Sequence, residues 1–398
     1  MVHYRSIRLA IDKLGTSALA STQIFPPGQR PTVAVMYHMF PHYRAPVLTA
    51  LSQSTVFDFS FWAGVDDIEG IKVFRGNETV SINPLSTLRR GASLELLNFW
   101  KPLIELRPSI VILIGNPNLI TTWLAAVLAR LMGSKVLFWT HGWLKPESRL
   151  KAKLRNLYFS LADKVLVYGD RAVSLAGKSG FDRDKVVPIY NSLNWEAADL
   201  NFHRLEQDAP REASSPAPTQ IVCIARITEH CRFDLLIKAA SLLQKEGVPI
   251  RITLVGDGPE RSSLEALAES LGVDLQCLGA IYDESVIADT LYHADITVSP
   301  GKVGLTAMHS LSYGTPVITH GDLDQQMPEV EAIIPGVTGD FFAVGNADDL
   351  AAKIKAWILT PRSRESLRQS CRQIMIDRYT PESQRNRIEH AIESVLHG

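Results

Sequence analysis

Two Rossmann-like α/β domains facing each other across a cleft are what this sequence predicts, on three observations. The chain has 398 residues, more than one hydrophobic core usually serves, and its 46% hydrophobic and 21% charged content suits a folded globular protein. Short β-branched runs alternate with longer helical patterns through both halves, as parallel strands joined by helical crossovers do. Between the halves runs DAPREASSPAPTQ, from Asp208 to Gln220, whose Pro, Ser and Ala content is that of a linker.

In chain order, the first half offers strands at Thr32–Tyr37, Ile110–Ile114, Val136–Trp139, Val165–Tyr168 and Val186–Ile189. The second half offers Ile221–Ala225, Arg251–Val255, Leu275–Leu278, Ile296–Ser299, Val317–Thr319 and Phe341–Ala343. This divides the chain into an N-terminal domain of residues 1–205, a linker of 206–220, a C-terminal domain of 221–375 and a final helical segment of 376–398. Neither domain carries the Gly-x-Gly-x-x-Gly fingerprint of a dinucleotide binder, and no short-period repeat is present.

Composition narrows the partners. The apolar runs Ser109–Gly115 and Trp123–Leu131 are far shorter than the roughly 20 residues of a spanning helix. Arg5, Arg8 and Asp12 interrupt the N-terminal apolar residues, so no secretory core is predicted and the chain is expected in the cytoplasm. Cys223, Cys231, Cys277 and Cys371 show no Cys-x-x-Cys spacing, which argues against a zinc site or a disulfide framework. Cys223 and Cys277 lie in apolar strand-like runs and read as small buried hydrophobes.

Net charge is -1, yet residues 1–195 hold 23 Lys and Arg against 13 Asp and Glu, while the rest hold 18 against 29. A basic first domain faces an anionic surface or acceptor. Its densest stretch is Lys145, Arg149, Lys151, Lys153 and Arg155, interrupted by Glu147 alone and preceded by Trp143 and Leu144. As a helix it forms a cationic stripe suited to an anionic membrane surface, from which salt would release it, or a solvated charged face.

Ligands of open α/β sheets bind beyond the carboxyl ends of the strands. That rule selects the loop from His38 to Arg44, then Asn116, His141 with Gly142, and Asn191 in the first domain. In the second it selects Arg226, Gly256 to Gly258, Pro300 to Gly304, and His320 to Asp322. The most informative of these stretches is ADITVSPGKVGLTAMHSLSYGTPVI, from Ala294 to Ile318. It reads as strand, glycine-bounded loop, helix opening at Gly304, and strand. Gly301 and Gly304 would let the backbone approach a ligand, and the helix would aim free N–H groups at a diphosphate.

This stretch resembles the donor-binding core of GT-B retaining glycosyltransferases of group 1, whose pattern is Glu-Gly-x-Gly-Leu-x-x-x-Glu-Ala followed by Gly-x-Pro-Val-Ile. Gly301 and His309 stand where that family has its two glutamates. LVGDGPERSSLEALAESLGVD, Leu254 to Asp274, matches the family closely, with Gly256 and Gly258 in a tight turn and Asp257 in a structural role. Arg226 stands where the family's diphosphate-holding arginine ends a strand, but Ala225 replaces its glycine and Cys231 its lysine, leaving Arg232 or Lys302 to supply the second charge.

The resemblance implies a GT-B fold in which the end of the last segment, Pro361 to Gly398, crosses back onto the first domain. It also implies residue roles. Arg226 and Lys302 stabilise the leaving diphosphate, and His141 faces donor sugar and acceptor or acts as a local cap. Gly256, Gly301, Val303, Gly304 and Leu305 line the donor. His309 holds the ribose or packs as a core histidine, and Glu329 takes over a sugar or ribose hydroxyl. His42 and Arg44 face the acceptor, Arg44 holding an acceptor phosphate or starting a helix. Asp322-Leu323-Asp324 is a chance Asp-x-Asp, since such enzymes need no metal or cofactor.

The expected activity is retaining, metal-independent transfer of a hexose-type sugar. The donor is a nucleoside-diphosphate sugar and the hydroxyl acceptor is lipid-linked or an oligosaccharide, in bacterial surface-polysaccharide assembly. A GT-B binding or scaffold subunit without catalysis, or a nucleotide-sugar epimerase, are the alternatives.

Overall fold

A computed structural model describes residues 30–65, 72–90, 93–208 and 218–397. The expectations for the N-terminal residues, and for linker residues 209–217, lie outside the described residues. The chain divides into two compact units, Met1–Ser192 with Pro381–Gly398, and Leu193–Thr380.

The first unit runs β1 (Thr32–Met39), α1 (Ala45–Ser52), β2 (Asp58–Gly64), β3 (Ile82–Pro84), β4 (Thr87–Arg90), β5 (Ser93–Leu96), α2 (Trp100–Leu106) and β6 (Ile110–Ile114). It continues through α3 (Ile120–Leu131), β7 (Lys135–Trp139), α4 (Arg149–Phe159), β8 (Lys164–Val167), α5 (Asp170–Lys178) and β9 (Val186–Pro188). Seven strands form one parallel sheet in the order β3-β2-β1-β6-β7-β8-β9, and β4 and β5 make a separate antiparallel hairpin.

Both faces of this sheet are buried, which is why its central strands read as unbroken apolar runs. Alternate residues of each strand point to opposite faces. Ala34, Met36, Val111, Leu113, Val136 and Phe138 enter one core. Val33, Val35, Ile110, Ile112 and Leu137 enter another, which the C-terminal helix Pro381–Leu396 completes with Ile388, Ala391 and Ile392. On that helix Gln384, 0% exposed, accepts from Ser192 Oγ at 2.7 Å and donates to the Tyr190 carbonyl at 2.5 Å.

The hairpin has a local job. Helix α3 begins at Leu119 without a side-chain cap of its own. Glu95 of β5 supplies one, its carboxylate accepting from the amides of Ile120 and Thr121, both at 3.1 Å, and from Thr121 Oγ1 at 2.6 Å. A carboxylate at that place satisfies first-turn amides and the positive end of the helix dipole.

The second unit runs α6 (Trp195–Asp208), β10 (Thr219–Ile224), α7 (Phe233–Lys245), β11 (Ile250–Val255), α8 (Arg261–Leu271), β12 (Asp274–Gly279), α9 (Glu284–His293) and β13 (Ile296–Ser299). Then follow α10 (Leu305–Ser312), β14 (Val317–His320), β15 (Gly339–Phe342), α11 (Ala347–Leu359) and α12 (Arg364–Arg378), before the C-terminal helix, α13. Its sheet is also wholly parallel, β12-β11-β10-β13-β14-β15. Cys223 is buried in the core, its thiol donating to the Val298 carbonyl, whereas Cys277 is only partly buried.

The boundaries differ from those read in the sequence. The chain changes unit at Ser192/Leu193 and again at Thr380/Pro381, not at residues 205/206 and 375/376. Helix α6 belongs to the second unit because Phe202 and Leu205 bury against Val222, Leu291 and Tyr292. The sequence reading also omitted β2, where Asp58 and Ser60 break an aromatic run that nevertheless pairs with β1 along its length.

Candidate functional site

All strands of the second sheet are parallel, so the loops that follow them gather at one edge. Strands β10 and β13 are neighbours, and Arg226 and Lys302 stand just beyond their carboxyl ends. Both side chains are exposed, and neither pairs with a carboxylate among the described residues. Helix α10 opens beside them. Its start has no side-chain cap, and among the described residues nothing accepts from the first-turn amides of Leu305 and Thr306. Thr306 Oγ1 donates to the Ile224 carbonyl at 2.9 Å, which fixes the helix end against β10. Two unpaired cations and a helix N-terminus converging on one sheet edge suit a diphosphate.

Two of the glycines also have a packing role that the sequence did not suggest. A Cβ on Gly301 would lie 2.0 Å from the His230 carbonyl oxygen, and the Gly301 amide already donates to the Cys231 carbonyl at 3.0 Å. On its Cβ side Gly301 therefore admits a neighbouring turn of the chain. Gly256, at φ +140, is bound the same way, since a Cβ there would fall 1.9 Å from the Ala225 carbonyl oxygen. Both contacts press loops against the Ala225–Cys231 segment, the one that carries Arg226. Gly304 is open by comparison, with Met327 side-chain carbons at 3.6 and 3.8 Å from a Cβ.

Val303, expected against the donor, is 0% exposed, and its amide donates to Gln326 Oε1 at 2.7 Å. Gln326 is itself buried and donates to Thr319 Oγ1 at 3.0 Å and the His320 carbonyl at 3.1 Å, so one amide side chain braces the 301–303 loop on the end of β14. Arg232 does not supply the second cation. It forms a two-point pair with Asp234, at 3.0 and 3.3 Å, which raises its pKa. Cys231, in the place of the family lysine, donates to the Arg226 carbonyl at 3.1 Å and closes the loop on itself. Lys302 is exposed and without a carboxylate partner among the described residues.

His309 lies on α10 with Nδ1 3.9 Å from Glu284 Oε1, and the Tyr313 hydroxyl donates to the same oxygen at 2.8 Å. Burial lowers the His309 pKa, and Glu284 opposes that shift. A neutral imidazole can accept one hydrogen bond and donate another. Glu329 is buried, at 4% exposure, in the turn Pro328–Ala332. The partly exposed carboxylate beside His309 is Glu284, at the first turn of α9 after β12. The sequence reading missed it by omitting the loop after Leu275–Leu278 from its strand ends. Asp322 caps a turn, accepting from the Asp324 amide at 3.1 Å and from Gln325 Nε2 at 2.7 Å.

In the first unit the expected residues also gather beyond strand ends. His42 and Arg44 form one turn of 3₁₀ helix, His42 exposed and Arg44 turned inward. The Arg44 guanidinium stands 4.8 Å from the Tyr37 ring centre, 4.7 Å from Trp139 and 5.6 Å from Tyr168, and it donates to the Tyr168 hydroxyl. Burial disfavours its charge, but the Tyr168 and Tyr37 hydroxyls outweigh burial and hold it protonated. Burial and the Arg44 charge together lower His38 to about 4. His141 is exposed after β7 with its ring 4.9 Å from Tyr168. Tyr37, Trp139 and Tyr168 close three of the predicted strands, so the signal for this cage was the last residue of each apolar run.

Residues 206–374 match the family Glycosyl transferases group 1. A GDP-mannose-dependent alpha-(1-6)-phosphatidylinositol dimannoside mannosyltransferase of Mycobacterium tuberculosis is 34% identical over 122 residues, 29% of this chain and 32% of that protein. The chain thus spans about a third of the length of the first curated relatives it matches. Among solved structures, the lipopolysaccharide outer core galactosyltransferase WaaB in its apo form superposes with a TM-score of 0.68 at 16% identity, covering 92% of this chain and 99% of that one. Anabaena HepE in complex with UDP superposes at 0.65 and 13% identity, covering 91% and 100%. The chain therefore has the GT-B fold, and the part of it that matches the group 1 glycosyltransferases, residues 206–374, falls in the second unit.

Proposed function

We propose that the protein transfers a hexose-type sugar from a nucleoside-diphosphate sugar to a hydroxyl acceptor, with retention at the anomeric carbon and without a metal or cofactor. The observation that carries this reading is the pair of unpaired cations, Arg226 and Lys302, beside the uncapped start of α10. The acceptor hydroxyl attacks the anomeric carbon on the face from which the diphosphate departs. The bond from that carbon to the β-phosphate oxygen breaks, and a departing phosphate oxygen takes the hydroxyl proton. Arg226, Lys302 and the helix amides stabilise the charge that grows on the leaving group. His309 and Glu284 offer hydrogen bonds to hydroxyls of the donor.

The acceptor is lipid-linked or an oligosaccharide of a surface glycan, met at the cytoplasmic face of a membrane. The mannosyltransferase of Mycobacterium tuberculosis, named for a phosphatidylinositol substrate, supports a lipid acceptor, and the excess of Lys and Arg in residues 1–195 supports contact with anionic lipid. No described helix is long and apolar enough to cross a membrane.

Release of nucleoside diphosphate from a panel of UDP-, GDP- and ADP-sugars, with crude lipid-linked acceptor, tests the reading. Turnover with one donor that Arg226→Ala suppresses is expected. Nucleotide binding without turnover of any donor would favour a scaffold subunit instead. That second reading has one observation behind it, the turn His230–Cys231 packed against Gly301, where the family glutamate would grip the sugar.

A further inference from the structure

Helices α3 and α4 turn apolar side chains outward. On α3 the exposed positions include Ile120 (52%), Leu124 (52%), Val127 (44%) and Leu131 (65%), spaced i, i+4, i+7 and i+11 along one stripe. On α4 they include Leu150 (79%), Leu154 (57%) and Leu157 (59%), at i, i+4 and i+7. The two helices lie side by side, since the Tyr158 hydroxyl of α4 donates to Thr122 Oγ1 of α3 at 2.8 Å and its ring sits 4.7 Å from Trp123. A single exposed leucine is ordinary, but seven large aliphatics on neighbouring helices form a patch.

The patch is bordered by positive charge. Helix α4 carries Arg149, Lys151, Lys153 and Arg155 and no acidic residue. Along it runs a pocket of about 290 Å³ lined by Trp143, Lys145, Arg149, Lys153 and Lys178, and its one acidic lining residue, Glu147, is paired with Arg155 at 2.7 Å.

We propose that this face of the first unit docks on an anionic lipid bilayer. The aliphatic stripes of α3 and α4 enter the boundary between headgroups and acyl chains, and the basic pocket takes a lipid phosphate. Apolar insertion plus basic flanks is the physical recipe for an interfacial helix surface. A second copy of the chain fits less well, because a two-fold contact across this face would bring the two sets of lysines and arginines together. The inference gives the membrane contact of the proposed function its surface and does not depend on donor chemistry. It also changes the salt expectation, since the aliphatic part of the contact is not screened and salt should weaken binding without ending it.

Sedimentation of the full chain with phosphatidylcholine vesicles, with and without phosphatidylglycerol, tests it. Nucleotide binding, read by thermal shift with UDP and GDP, runs in parallel, so failure here and failure of the transferase reading are told apart. The chain is expected to sediment with the anionic vesicles more strongly than with the neutral ones, and to stay partly bound in high salt. Leu124→Asp/Leu154→Asp should lower partition at least about tenfold at both salt levels. Leu150→Gln/Leu157→Gln, at still more exposed positions, repeats the test should the first pair disturb the fold. Lys153→Gln and Lys178→Gln should each lower partition about fivefold at low salt only. Absence of anionic-vesicle binding, binding unchanged by both leucine pairs, or a solution dimer that those pairs dissociate would overturn the proposal.

Discussion

The two units share an all-parallel sheet with polar residues beyond its strand ends, yet they treat positive charge in opposite ways. In the second, Arg226 and Lys302 stay exposed and without carboxylate partners among the described residues, while glycines let the surrounding loops press together. In the first, Arg44 is enclosed by Tyr37, Trp139 and Tyr168. A hydrated, unpaired cation can exchange its water for an incoming phosphate. An enclosed one is already spent on structure, its desolvation offset by ring faces at up to about 2 kcal/mol each. Arginine beyond a strand end is therefore two different devices, and only burial tells them apart.

The largest effect should come from Arg226. Arg226→Ala is expected to lower the rate of nucleoside diphosphate release by about 10²–10³ with little change in melting temperature. A loss confined to KM would instead make it a uniform binding contact. Next come the glycines. Gly301→Ala forces a Cβ into the His230 carbonyl and should cost about 3 kcal/mol in denaturant unfolding of the second unit. Gly304→Ala meets only Met327 side-chain carbons and should be nearly neutral. Equal costs for the two would refute the division of roles between them.

The first unit offers a pH test. His38 is held neutral with a pKa near 4, below the unfolded value of 6.5, so the unfolded chain binds the extra proton between those values. Stability should then fall as pH drops from about 6.5 to 4, by about 3 kcal/mol, and His38→Gln should flatten that slope. Arg44→Met should raise the His38 pKa by removing its neighbouring charge, and an unaltered pH profile would sever the two. The smallest effect concerns Glu284, which raises the His309 pKa against burial. Glu284→Gln should move the acid limb of nucleotide binding to lower pH and weaken affinity by less than about tenfold.

Fold and site were not equally legible. Parallel strands buried on both faces announce themselves as apolar runs, and the predicted strands all form, while β2 was hidden by Asp58 and Ser60. The strand-end rule also put Arg226, Lys302, His141 and Arg44 in loops that follow strands, and the structure has them there. What it could not give was direction. Whether Gly301 opens toward a ligand or toward His230, whether Arg232 is free or held by Asp234, and whether Val303 faces out or in depend on long-range packing. No local pattern records those choices.

The helix α13 reverses the order in which the protein can be completed. Its Ile388, Ala391 and Ile392 close one side of the first sheet, beside Leu48, Ile112 and Leu166. Residues 193–380 are contiguous and fully translated before that helix exists. Domains emerging from a ribosome ordinarily settle from the N-terminus onward. In this chain the unit begun first must wait, one face of its sheet covered only in part by α1, until every residue of the second unit has been made.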